Sequence, residues 1–358
     1  MTRQPLTRET LPLADCGWNA FFQGQLDIEE IATTTAVRVL AVHRAGLDVL
    51  GPDFAGLLPP VSDGSGDPEA RATVGDWLLL DRASLRPRRR LERVSLFKRR
   101  AAGTARQVQL IAANVDTLFV VSSCNQDFNE ARLERYLALA KEAETTPLVV
   151  LTKADLCEAP ATYARAAARL LPGLLVECLD ARDPAAVAAL RPWCGPGQTV
   201  ALLGSSGVGK STLVNGLTGR SEQRTRGVRA DDDKGRHTTT GRSLHRLPAG
   251  GWLLDTPGLR ELQLLDVAAG LDEVFADIAV LAQGCRFADC RHEGEPGCAV
   301  QAAVAAGRLD PARLKRQRKL VAEEARNSGS LAERRQRSRA LGRMYKAVQK
   351  QKRDRHDD

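Results

Sequence analysis

The order of two motifs constrains this chain more than any other feature. A glycine loop, Gly204-Ser205-Ser206-Gly207-Val208-Gly209-Lys210-Ser211, lies late in the sequence, and Thr152-Lys153-Ala154-Asp155 lies upstream of it. The first has the G-x-x-x-x-G-K-S form of a phosphate cradle. The second has the x-K-x-D form of a base-reading loop. Domains that carry both usually carry the phosphate loop first. The reversed order predicts a doubly wound α/β domain whose chain has been cut at one loop and rejoined at another, so that the chain ends fall elsewhere on an unchanged core.

The local context supports both motifs. Residues 198–203 read as a short buried strand and 211–218, opening on Ser211 and Thr212, as the helix that follows the loop. Backbone N–H groups and the helix N-terminus would face an anion there. Lys210 would reach the β- and γ-phosphates, and the Ser211 hydroxyl would ligate Mg²⁺. Asp255-Thr256-Pro257-Gly258 follows the apolar run 251–254. Asp255 then ends a strand where an acid can hold Mg²⁺ through water, and the Gly258 N–H would register the γ-phosphate and its loss. The polar stretch 224–240 lies between. Thr239 is the expected residue to complete the Mg²⁺ shell, with Thr240 the second choice. Thr152, Lys153, Ala154 and Asp155 follow the strand-like run 147–151. Asp155 can accept hydrogen bonds from the N1–H and amino group of guanine. Adenine lacks that donor pair and would leave the carboxylate unpaired. Thr152 stands where Asn is usual, and a hydroxyl makes one tethering hydrogen bond where an amide makes two.

These motifs, in this order, resemble the RsgA (YjeQ) family of circularly permuted, ribosome small subunit-dependent bacterial GTPases. The resemblance rests on Leu151 to Asp155, Gly204 to Thr212, the threonine run after Gly235-Arg236-His237, and Asp255 to Leu259, and it covers nearly the whole chain. It implies a GTPase that turns GTP over to GDP and phosphate slowly alone and is completed by the small ribosomal subunit and its rRNA. Leu259 occupies the place where Ras-like enzymes keep a water-orienting Gln. His237 is the nearest candidate to orient the attacking water. A base-supporting loop, often Ser-rich in such relatives, is expected after the strand 173–177. Here it reads Cys178-Leu179-Asp180, and Cys178 there suggests a thiol-sensitive site.

Cys285, Cys290, His292 and Cys298 fall within fourteen residues. Three Cys and one His are a standard closed tetrahedral set for structural zinc. Gly294, Pro296 and Gly297 let the chain fold back so that Cys298 can reach. A disulfide reading would need an oxidising compartment, which nothing suggests. The same spacing is that of the family's zinc motif. Cys16, Cys124, Cys157, Cys178 and Cys194 are scattered and read as reduced thiols.

The 358 residues have room for two or three domains. No run of eighteen apolar residues exists and the N-terminus shows no apolar leader, so a cytoplasmic protein with no membrane span is expected. The net charge is +8, but residues 307–358 alone carry 17 Lys and Arg against 7 Asp and Glu. A second basic cluster spans 86–90 and 98–100. Both read as a footprint for nucleic acid. Residues 37–42, 46–50, 77–80 and 93–97 read as short strands of a small barrel. An OB-fold fits its size and its basic rim, as does the family resemblance, although the residues would suit an SH3-like barrel equally. A helix is expected over 129–144.

The expected fold is therefore an α/β P-loop GTPase core, circularly permuted, with an N-terminal OB-fold β-barrel and a C-terminal zinc-binding helical domain. The expected divisions are an extension over 1–35, the barrel over 36–106, the GTPase domain over 107–265, the zinc domain over 266–327 and a basic tail over 328–358. The chain is expected to act as a monomer on small-subunit rRNA, with GTP and GDP, magnesium and one structural zinc. The alternatives are a permuted GTPase of large-subunit assembly, an rRNA-binding module with a degenerate nucleotide site, and an ABC-type ATPase. The last two are disfavoured by intact Lys210, Ser211 and Asp255 and by Asp155.

Overall fold

The computed structural model describes residues 10–61, 67–100, 108–219, 242–255 and 267–328. Among them, residues up to 255 together with 269–276 form one compact unit, and 267–268 with 277–328 form another.

The first unit opens on two short helices, α1 (Ala20–Gln23) and α2 (Ile28–Thr33). Helix α2 starts at a capping box, in which Asp27 and Glu30 satisfy each other's backbone N–H groups. An antiparallel array follows: β1 (Thr34–His43), β2 (Gly46–Leu50), β3 (Ala55–Leu58), β4 (Trp77–Asp81) and β5 (Pro87–Arg90), paired in the order β3-β2-β1-β4-β5. Val37, Val39, Leu47, Val49, Leu78 and Leu80 supply its core. β6 (Leu96–Arg100) and β7 (Val108–Ala113) form a separate hairpin. No ladder among the described residues closes the array into a barrel. The strand expected at 93–97 begins only at Leu96, because the preceding backbone is held by side chains. The Val94 N–H donates to Asn114 Oδ1 at 2.9 Å, and Ser95 Oγ donates to the Val115 carbonyl at 2.9 Å.

The array is tied internally by a buried ion pair. Arg93 meets Asp76 through two hydrogen bonds of 2.7 and 2.8 Å, with side chains 8% and 0% exposed. The basic cluster expected to form a positive rim is partly offset locally. Arg88 pairs with Asp81, Arg89 with Glu30 and Lys98 with Glu69.

The rest of the first unit alternates strand and helix: β8 (Thr117–Ser123), α3 (Glu130–Glu142), β9 (Thr146–Thr152), α4 (Pro160–Ala168), β10 (Leu175–Cys178), α5 (Pro184–Val187), β11 (Thr199–Gly204), α6 (Lys210–Thr218), β12 (Arg242–Arg246) and β13 (Trp252–Asp255). β8 and β9 each carry an unbroken apolar run, 118–121 and 147–151, buried on both faces, the mark of central parallel strands. Helix α3 is capped by the Asn129 side chain and packs Leu133, Leu137 and Ala140 inward. The strands lie in the order β10-β9-β8-β11-β13-β12, with only β12 antiparallel. Strand β11 thus sits centrally, flanked by β8 from earlier in the chain and β13 from later. Nucleotides bind such sheets at the strand C-termini, where the order reverses.

Strand β12 would be an open edge of that sheet. Strand β1 covers it, with Ala41 opposite Ser243 and Val42 opposite Arg242, so array and core share one eleven-stranded sheet. A buried guanidinium reinforces the joint. Arg38 of β1 donates to the Cys16 carbonyl (2.6 Å), the Asn114 carbonyl (3.1 Å) and Thr199 Oγ1 (2.8 Å), the last at the start of β11. Burial pushes its pKa down to about 10. Helix α7 (Ala268–Val274) returns against α3, where the Gly270 N–H donates to Glu142 Oε2 at 3.0 Å. A Cβ at Gly270 would lie 2.2 Å from the Ala138 carbonyl oxygen.

The second unit holds most of α8 (Ala276–Ala282), with α9 (Ala299–Ala305) and α10 (Pro311–Ser328). Helix α10 buries Leu314 and Leu320, and its Arg313 makes hydrogen bonds of 2.7 and 2.9 Å to Asp277 of α8. The basic tail expected from 328 lies outside the described residues beyond Ser328. No helix among the described residues is long and apolar enough to cross a membrane.

Candidate nucleotide site and metal centre

The glycine loop joins β11 to α6. Gly204 is required by close approach, since a Cβ there would sit 2.3 Å from the Val121 carbonyl of β8. Gly209 caps α6 at φ 93°, in the left-handed region that glycine favours. Val208 is fully buried in the core between them. Lys210 is also buried, and its ammonium donates to the Gly204 carbonyl (2.7 Å) and the Ser205 carbonyl of its own loop. Ser205 Oγ accepts from Arg132 of α3 at 2.6 Å. Ser206 and Ser211 are exposed at the mouth, with Gly207 at the turn between them and Thr212 half-buried behind. A lysine ammonium held at the loop, glycine backbone free to approach a ligand closely and a helix start together suit an anion such as a polyphosphate.

Strand β9 carries the upstream motif to the same end of the sheet. Thr152 is fully buried, and its hydroxyl approaches the Val208 carbonyl at 2.6 Å and the Ser122 carbonyl at 3.1 Å. One hydroxyl has one proton, so the shorter contact is the hydrogen bond. Lys153 turns the chain at φ 59°, a left-handed conformation uncommon outside glycine. Its ammonium lies 4.0 Å from Asp127 Oδ2. Ala154 and Asp155 open a short 3₁₀ turn.

Asp155 is not unattended. Its Oδ2 accepts from Arg182 Nη2 at 2.6 Å, and Arg182 Nε reaches Asp180 Oδ1 at 3.2 Å. Hydrogen bonds from the Arg182 side chain and backbone hold the Asp180 carboxyl below its ordinary pKa. The base-supporting loop expected at Cys178-Leu179-Asp180 is thus brought to Asp155, with Arg182 between them. Nothing in periodicity or motif spacing marks Arg182, Arg132 or Asp127; only the fold shows their place. Cys178 ends β10 beside Cys124, whose thiol hydrogen bond lowers the Cys178 pKa while its own is raised.

Asp255 ends β13 and is exposed, one position past the Ala201–Leu254 pair of the ladder to β11. His237, Thr239, Thr240, Gly258 and Leu259 lie outside the described residues.

The cysteine cluster is built by turns. Cys290 closes a turn on Phe287, His292 sits at φ 59°, and Gly294 and Gly297 take φ 140° and 77° before Cys298 caps α9. The Glu295 carboxylate gathers the N–H groups of Arg291, Glu293 and Gly294 at 2.8, 2.7 and 3.1 Å. The ligand atoms of Cys285, Cys290, His292 and Cys298 all lie within 4.8 Å of one another. Cys285 Sγ is 3.9 Å from Cys298 Sγ, and His292 Nδ1 is 3.6 and 3.4 Å from those two sulfurs. Zinc–sulfur and zinc–nitrogen bonds of about 2.3 and 2.0 Å give tetrahedral edges of about 3.8 and 3.5 Å. The donor set and its spacing fit a zinc ion.

A glycine loop on the central strand of a parallel sheet, with the Thr152-Lys153-Ala154-Asp155 motif on a strand that precedes it in the chain, defines a circularly permuted P-loop GTPase. The RsgA GTPase family model matches residues 90–265, and the Vibrio vulnificus protein named small ribosomal subunit biogenesis GTPase RsgA 2 is 49% identical over 95% of this chain and 96% of its own length. The chain belongs to the RsgA GTPase family. The Mesorhizobium japonicum protein named small ribosomal subunit biogenesis GTPase RsgA is 51% identical over 91% of this chain and 93% of its own. Among solved structures, YjeQ from Thermotoga maritima aligns with a TM-score of 0.58 at 23% identity, covering 80% of this chain and 97% of that one. YloQ, described as a circularly permuted GTPase, aligns at 0.56 and 22%, covering 83% and 97%. These two likenesses bear on the fold alone.

Proposed function

We propose that this GTPase acts on the small ribosomal subunit, coupling GTP hydrolysis to late maturation of the subunit and to its own release. The names of its relatives as small ribosomal subunit biogenesis GTPases, each covered over nine-tenths of its length, support the partner. The observation that carries the nucleotide site is the Thr152–Val208 hydrogen bond, which joins the base-reading strand to the phosphate loop. Asp155 selects guanine through its N1–H and amino group, and the Lys153 stem covers the base. Residues 204–212 cradle the phosphates, with Lys210 leaving its loop carbonyls for the β- and γ-oxygens. Ser211 and Thr239 would hold magnesium and Asp255 would support it through water; the ion supplies charge neutralisation on the phosphates. The Gly258 N–H senses the γ-phosphate, and His237 orients the attacking water on the subunit.

Cys285, Cys290, His292 and Cys298 would hold one structural zinc, which cross-links the turns before α9. The region 36–106 serves as an OB-fold platform, and it, the zinc domain and the basic tail contact rRNA. In sequence, Asp255 to Gly258 stand directly before the zinc domain, so loss of the γ-phosphate acts on that domain through little intervening chain. The protein works in the cytoplasm as a monomer. The test is hydrolysis of GTP and of ATP, each with isolated small subunits, with large subunits and with neither. Stimulation confined to GTP with small subunits is expected. Equal stimulation by large subunits, or equal turnover of ATP, would sink the proposal.

A further inference from the structure

We infer that Arg182 is an intramolecular competitor of guanine: it occupies Asp155 when the site is empty, must leave when nucleotide enters, and speeds nucleotide release by returning. The inference rests on the reading of Asp155 as the guanine acceptor.

The guanidinium is the part of guanine that such a carboxylate would recognise. N1, C2 and the exocyclic amino group of the base form a cyclic guanidine, and its donor edge has the same shape as an arginine fork. Arg182 Nη2 already stands 2.6 Å from Asp155 Oδ2. The donor edge of guanine spans both oxygens of such a carboxylate, and the Arg182 guanidinium lies against one of them, so base and guanidinium compete for the same approach and entry of one favours departure of the other. The departing side chain has a place to go. Asp180 receives it through Nε at 3.2 Å and Nη2 at 3.3 Å. Asp180 also accepts the Arg182 backbone N–H at 2.9 Å, which fixes the turn. Arg182 is thus suspended between two carboxylates, one of which the ligand needs. The side chain is 66% exposed and Asp155 25%, so the pair is screened and weak enough to be displaced.

A competitor lowers apparent affinity by the fraction of molecules whose site is free. Removing a solvent-exposed pair of this kind changes an equilibrium about two- to fivefold. The Arg182→Ala protein should therefore bind fluorescent GDP and GTP about two- to fivefold more tightly, with slower dissociation. Inosine nucleotides should gain by the same factor, because the competitor blocks Asp155 whatever the ligand. Arg182→Lys should restore part of the wild-type affinity. Asp180→Asn keeps the backbone turn but removes the second carboxylate's charge; it should weaken binding in the wild type and be silent in the Arg182→Ala background.

Weaker nucleotide binding by Arg182→Ala would overturn the inference, since Arg182 would then contact the nucleotide favourably. An effect of Asp180→Asn that persists without Arg182 would overturn it too. Asp155→Asn separates the premise from the inference. Undiminished guanine binding there removes the base-reading role itself. Lost guanine binding, with no gain in Arg182→Ala, leaves that role standing and removes only the competitor.

Discussion

Thr152 Oγ1 lies 2.6 Å from the carbonyl oxygen of Val208, across 56 positions of sequence. The Ser122 carbonyl stands 3.1 Å from the same hydroxyl, and a single proton serves only one of them at a time. An asparagine amide could serve both. Among the described residues, this buried hydrogen bond ties the end of β9 directly to the glycine loop. Thr152→Val keeps the shape and removes the donor. It should cost about 1–2 kcal/mol of stability and leave a buried carbonyl unsatisfied. GDP affinity should fall with it, by roughly tenfold at that energy. Titration calorimetry and a denaturation midpoint measure the two effects. An unaltered GDP affinity would mean the tether does not couple base and phosphate.

Gly204 has no room for a methyl group. Its Cβ would meet the Val121 carbonyl at 2.3 Å, and backbone in a central strand cannot retreat as a side chain can. Gly204→Ala should force β11 from β8 and cost about 1–3 kcal/mol, as overpacking does. Loss of nucleotide binding should exceed the loss of stability, because the loop starts at that residue. A variant as stable as the wild type would refute the close-approach argument.

Asp76 and Arg93 are buried as a pair. Asp76→Ala leaves the guanidinium without its carboxylate, and breaking a buried pair from one side costs about 3–5 kcal/mol. The Thr73 N–H, which donates to Asp76 at 2.7 Å, is orphaned as well. The expected signature is a large drop in urea midpoint; a drop of the size seen for surface pairs would show that water reaches the site.

The cysteine cluster should retain one zinc per chain after dialysis, read by metal analysis. Cys290→Ser, or a strong chelator, should remove it and reduce helical circular dichroism. The reason is that the turns between α8 and α9 have little apolar core, and structural zinc supplies folding energy directly. Retained helicity without metal would limit the ion to a minor part in folding.

Cysteine reactivity should separate by environment. Burial pushes Cys16 up to about 11 and Cys194 up to about 12, while the Cys124 hydrogen bond holds Cys178 below the ordinary thiol value. The thiolate is the reactive form. Alkylation of Cys178 should therefore level off at a lower pH than that of an ordinary thiol, and Cys16 and Cys194 should stay unmodified in the folded protein. Peptide mapping after timed alkylation measures each. Modification of Cys194 ahead of Cys178 would contradict the assignment.

Several features were legible in the residues themselves. Strand–glycine loop–helix, the apolar runs of β8 and β9 and the Asn129-capped helix are local patterns. Composition and spacing carry them, as they carry the zinc ligand set. The N-terminal β region was legible only in part. β3 and β5 are four residues each, β7 lacks clear alternation, and β6 starts late because side-chain hydrogen bonds of Asn114 and Ser95 hold the turn before it. The basic stretch 86–90 suggested a bare positive face, yet its partners Asp81 and Glu30 belong to other elements.

Sequence alone determined which chemistry this chain carries and in what order, because motif chemistry depends on residue type at fixed short spacing. Tertiary structure alone decided that Thr152 meets Val208, that Arg182 takes Asp155, and that β1 seals the edge of β12. Those contacts join positions far apart in the chain. Sheet order and register create them, and neither is encoded in any local period of the sequence.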